Sequence, residues 1–271
     1  MKKALIASVV LGALAAGGAM AADMPAKAPI MKAPPPPVMT WTGCYLDAGG
    51  GYGMWNQDHN VTAAVTGGPA NSFQSIDVTN GGRGWLGRFG AGCDYQVSSS
   101  WVIGVYGDYD LMDLKGSLTT QLNPVGVGAT QADEKESSAW AAGARIGYLI
   151  TPSVLTYVGG GWTETRFDQM NEVTVRGVAT GNAFPAHTYQ GWFIDSGFEY
   201  AFTWLPINGL FIRSNYRYAT YQKDDLTQFN IATGAPAGNA GLGSVLHANK
   251  QVQTVTTSLV WRFNWGGGVR Y

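Results

Sequence analysis

The chain has 271 residues, of which 13% are charged and 12% aromatic, with 38 Gly and a formal net charge of −1. Soluble domains carry about 25% charged residues, so this chain has too few to cover a water-facing surface. The balanced charge offers no basic footprint for nucleic acid, and no stretch beyond the N-terminus supplies the ~18 continuous apolar residues of a membrane helix.

Residues 1–21 read as a signal peptide. Lys2 and Lys3 precede an apolar run, and Ala19-Met20-Ala21 fits the small-x-small cleavage pattern, so the mature chain begins near Ala22. Residues 22–40 form a Pro-rich periplasmic linker that includes Pro34 to Pro37; proline removes backbone donors and favours extended polyproline segments.

From residue 41 the dominant signal is alternation with a period of two, in segments of about 10–14 residues. In 84–97, Trp85, Phe89, Ala91 and Tyr95 share one row, while Leu86, Arg88, Gly92 and Asp94 share the other. In 101–114, Trp101, Ile103, Val105 and Tyr109 alternate with Gly104, Tyr106, Asp108 and Asp110. The same scheme recurs in 138–150, 190–204, 210–222 and 251–265. Segments 42–55 and 154–167 are Gly-rich and less regular, with Glu164 and Arg166 on one row. In each segment one row suits lipid and the other, polar and Gly-rich, suits an interior. A soluble sandwich would instead turn a polar, charged row outward.

The connections alternate strictly. Residues 98–100, 151–153 and 205–209 are short turns, whereas 56–83, 115–137, 168–189 and 223–250 run to about twenty residues or more. Short periplasmic turns and long external loops are the pattern of an outer-membrane barrel. The expected fold is all-β: an eight-stranded antiparallel transmembrane β-barrel of up-and-down topology spanning 41–271. Aromatics fall at strand ends as two girdles. Trp41, Tyr95, Trp101, Tyr148, Trp204, Phe263 and Trp265 mark the periplasmic rim; Trp55, Trp85, Trp140, Trp192 and Tyr218 mark the outer one.

Trp41-Thr42-Gly43-Cys44-Tyr45 after the Pro-rich linker, Gly92-Cys93-Asp94-Tyr95-Gln96 before a short turn, and Val260-Trp261-Arg262-Phe263 near the end together carry a family resemblance. The chain resembles the small outer-membrane β-barrel proteins of alphaproteobacteria, of the outer-membrane immunogenic or porin-family type, similar in build to the OmpA transmembrane domain. The resemblance implies an exported protein of the cell outer membrane, exposed at the surface, with no catalytic residues.

The inward rows bring together Arg88, Arg145, Arg166, Arg213, Arg217 and Arg262 with Asp94, Asp108, Asp110, Glu164, Asp195 and Glu199. An eight-stranded lumen is just wide enough to be filled by side chains, and unpaired buried charges are costly. These residues are therefore expected to pair as a lumen charge network that plugs the barrel; the alternative is a narrow pore passing ions or small solutes.

Two Cys in an exported chain invite a disulfide. Pairing centred on the first hairpin loop places Cys44 near Cys93, as a staple. His59, His187 and His247 fall in predicted loops with no metal-ligand or hydrolase spacing, so no metal, cofactor or catalytic residue is expected. The expected role is structural and surface-contacting. Outer-membrane lipid, lipopolysaccharide and the barrel assembly machinery are the expected partners, together with host or phage contacts through the loops.

Overall fold

A computed structural model describes residues 40–63, 72–121, 129–204, 209–237 and 244–263. The expected signal peptide and nearly all of the Pro-rich linker lie outside the described residues, as do Trp265 and most of the third short turn.

Twelve strands are described: β1 (Gly43–Ala63), β2 (Ser72–Gln96), β3 (Trp101–Gln121), β4 (Thr130–Thr151), β5 (Val154–Phe167), β6 (Met170–Thr174), β7 (Ala179–Phe184), β8 (His187–Ala201), β9 (Leu210–Tyr221), β10 (Asp224–Thr227), β11 (Phe229–Asn230) and β12 (Ser244–Phe263). Eight of them close a ring. Each of β1, β2, β3, β4, β5, β8, β9 and β12 pairs antiparallel with the next, and β12 returns to pair with β1 along their full lengths. Closure leaves no unpaired edge in that ring, as a strand structure in hydrocarbon requires.

The predicted long loops are mostly strand. β2 alone has 25 residues, whereas about 9–11 suffice to cross a bilayer. The strands run on past the apolar band, and the small strands β6, β7, β10 and β11 add to their ends through β4 and β12. Sequence read 56–83 and 115–137 as loops because the aromatic, lipid-suited row stops there. Outside lipid an outward row turns polar while the backbone ladder continues, as with Asn56, Asp58, Asp113 and Lys115.

The outward face carries Phe89, Val105, Leu111, Ile146, Val158, Ile194, Val255 and Leu259, all exposed. Trp85, Trp140, Trp162 and Trp192 stand on it toward one end, and Tyr95, Trp101, Tyr148 and Trp261 toward the end with the short turns. From Trp140 to Tyr148 on β4 is eight residue steps, or ~20 Å of height at a rise of ~3.3 Å and a tilt near 40°. That approaches the ~25 Å apolar band of a membrane barrel. Two girdle assignments are corrected. Trp41 and Trp55 are 0% and 2% exposed and point inward. Trp55 lies on the odd row of the Gly-rich first strand, and Trp41 precedes that strand in the same phase; the face of this row was ambiguous without its neighbours.

Candidate functional site in the barrel interior

Period-two geometry aims the second row of every ring strand at one axis, and there the interior is layered. Nearest the short turns, Trp41, Tyr45, Val102, Leu149, Leu155, Ala201, Phe211 and Val260 form an apolar cluster. Trp41 is fixed by its indole N–H donating to the Pro152 carbonyl at 3.0 Å, and the Arg262 guanidinium lies 4.8 Å from its ring centroid.

A belt of charge follows. Arg145 grips Asp94 bidentately, with Nε and Nη2 donating at 3.0 and 2.6 Å. Arg262 Nη1 reaches the same Asp94 at 2.7 Å and its Nε donates to Glu199 Oε1 at 2.8 Å. Arg213 donates to the other Glu199 oxygen at 3.0 and 2.9 Å and to Asp47 at 2.9 Å. Three guanidiniums thus converge on one carboxylate, since Arg145 Nη2 also lies 3.6 Å from Glu199.

The second half of the belt repeats the motif. Arg88 donates to Asp110 at 2.7 and 2.6 Å. Arg217 donates to both oxygens of Asp108 at 2.7 Å and to Asp195 at 3.3 Å, and the Tyr106 hydroxyl donates to Asp195. The cavity left among these residues measures about 20 Å³. A water needs about 10–15 Å³, so the space holds one or two.

Glycine creates room for this packing. A Cβ on Gly104 would stand 2.0 Å from Asp94 Oδ1, and one on Gly92 would stand 2.3 Å from the Tyr45 hydroxyl.

Above the belt lies a larger apolar core that includes Trp55, Leu86, Met112, Leu114, Phe167, Tyr189, Phe193 and Val252. Lys250 is buried within it, bonded to Glu134 and Gln57 and 3.9 Å from the Phe167 ring centroid. Burial lowers its pKa below the usual lysine value. Beside it, Glu136 accepts a hydrogen bond from Thr165 at 2.6 Å, and burial pushes its pKa up to about 8.

Of the twelve residues assigned to the network from sequence, the structure brings ten together. Glu164 and Arg166 are corrected: both point outward, on the row of Val158 and Trp162. Glu164 accepts a hydrogen bond from the Trp140 indole at 3.0 Å, and Arg166 is exposed. They sit just past the aromatic girdle, where a charge on the outer face meets water, so charge there no longer marks the interior. Sequence missed Asp47, masked by Gly-rich surroundings, and Glu134, Glu136 and Lys250, which lay in stretches read as loops.

Cys44 and Cys93 are directly opposed in the β1–β2 register and joined by a disulfide. None of the three histidines sits in a free loop. His59 is buried on β1 with Nε2 2.8 Å from the Thr119 carbonyl, and burial lowers its pKa. His187 and His247 contact Asp224 and Asp225. Among the described residues no group of three or more His, Cys, Asp or Glu could hold a metal.

No family model and no curated protein matches the chain. Solved structures do. The outer membrane protein OprG from Pseudomonas aeruginosa is similar with a TM-score of 0.53 at 13% identity, covering 84% of this chain and 100% of that one. The outer membrane protease OmpT from Escherichia coli gives 0.41 at 10% identity over 83% and 98% of the two chains. Ail, the attachment invasion locus protein of Yersinia pestis, gives 0.32 at 10% over 81% and 99%. The likeness to OprG establishes the fold: this chain is built as an outer-membrane β-barrel.

Proposed function

We propose that the chain is an integral outer-membrane barrel with a plugged lumen, a structural and surface-contact protein rather than a pore or an enzyme. One observation carries this reading: inside the membrane band, the charge belt leaves about 20 Å³ between two apolar clusters. A hydrated ion does not fit, and prising apart bidentate Arg–carboxylate pairs to admit one would strand buried charges at several kcal/mol each. The short turns face the periplasm, and the long strand extensions stand outside the cell, available to host, phage or neighbouring surfaces. A concavity of about 740 Å³ on the outer face of β2–β5, walled by Ile103, Val105, Ile146 and Val158, opens to hydrocarbon. The motifs around Cys44, Cys93 and Trp261 support a reading of the chain as similar to the small alphaproteobacterial barrels, and that reading carries with it cleavage near Ala22 and delivery by the barrel assembly machinery.

Planar-bilayer recording on the folded protein tests the plug, with heat-modifiable gel migration showing that the barrel is closed. A closed barrel without steady conductance steps is expected. Steps that scale with salt concentration would sink the reading in favour of a small pore.

A further inference from the structure

Beyond the apolar core, inside the strand extensions, lies a separate cup of about 250 Å³. At its centre is Glu172 on β6, 8% exposed. The hydroxyls of Thr120 and Thr130 each stand 2.8 Å from Glu172 Oε1 and 2.6 Å from one another, and Thr180 donates to Oε2 at 2.9 Å. A hydroxyl has one hydrogen and an ionised carboxylate has none. Two hydrogens therefore serve the three contacts among Thr120, Thr130 and Glu172. The cluster is rich in acceptors and short of donors.

It is also short of positive charge. Each belt carboxylate and Glu134 has an ion-pair partner, whereas among the described residues Glu172 forms none. The segments adjoining these strand ends in sequence, 64–71, 122–128 and 238–243, contain no Lys, Arg or His. The remaining walls combine the uncharged polar groups of Gln74, Asn182, Gln228 and Ser244 with the apolar faces of Val61 and Phe184.

We propose that this cup binds a small hydrophilic compound bearing a primary ammonium, with Glu172 as its counter-charge. An ammonium brings three donors and no acceptor, and its bond to a buried carboxylate is charge-assisted. The cup is smaller than the ~300–1,000 Å³ pockets that take drug-sized ligands, which limits the ligand to about one sugar unit or a headgroup-sized amine. The binding chemistry stands independently of the plugged-lumen reading.

Isothermal titration of the full chain, folded in detergent micelles, with D-glucosamine, D-glucose and ethanolamine tests it. Glucosamine and glucose differ in the ammonium alone. At least one ammonium compound is expected to bind about tenfold or more tighter than glucose, and the stronger of the two names the source, a sugar amine or a lipid-headgroup amine. Glu172→Gln is expected to erase that advantage. If that variant fails to give a heat-modifiable barrel, Thr180→Val replaces it, with a loss of several-fold expected. Equal binding of glucose, no binding of either amine, or undiminished amine binding by the variant that folds would each overturn the proposal.

Discussion

Glu199 shows how single side chains hold this barrel closed. It is 0% exposed and accepts from Arg213 and Arg262 while lying against Arg145. Glu199→Gln keeps the shape but removes the charge that balances three buried guanidiniums. Breaking a buried pair costs about 3–5 kcal/mol because the partner is left uncompensated. Urea unfolding of the micelle-folded barrel is expected to show a loss of that order; a loss under ~1 kcal/mol would mean that the remaining carboxylates suffice. Each of these charges was legible as a residue type on an inward row. Which arginine meets which carboxylate was not, because the partners sit on strands far apart in the chain, as with Arg213 and Asp47, 166 residues apart.

At the scale of elements, β4 joins two environments. Its lower half faces lipid through Ile146 and Tyr148, while its upper half carries Glu134 and Glu136 into the core of the extension. An unfolded carboxyl releases its proton near the ordinary value of 4.5, whereas folded Glu136 keeps it to about 8. The stability this group contributes is therefore full below the ordinary value, falls as the pH rises across the window, and is gone once the folded group ionises. Urea midpoints are expected to decline with pH across that range in the parent chain and to decline less in Glu136→Gln; parallel curves would refute the assignment. The extension was hidden from sequence for a related reason. Above the girdle both faces of a strand can be polar or mixed, and the contrast between rows that reveals a membrane strand fades.

For the whole molecule, the decisive boundary is between lipid and water along one continuous barrel. Val105 is 62% exposed in the middle of the apolar band, and Phe73 is 58% exposed beyond it. Arginine at the midplane of a lipid-facing row costs about 2–4 kcal/mol, whereas a surface change in water stays within about ±0.5 kcal/mol. Unfolding in lipid vesicles is expected to place Val105→Arg in the first range and Phe73→Arg in the second. Similar costs at the two sites would mean that the band has been misplaced.

The sequence alone determined the ring of eight strands, the side that meets lipid for six of them, and the opposition of Cys44 and Cys93. These follow from period-two patterning and hairpin length, which are local properties of the chain. Only the tertiary structure decided that the strands run on past the membrane, that Trp41 and Trp55 turn inward, and that Glu172 lies in a cup without a partner charge. Those features depend on which residues of distant strands meet across the axis, and no local period encodes that.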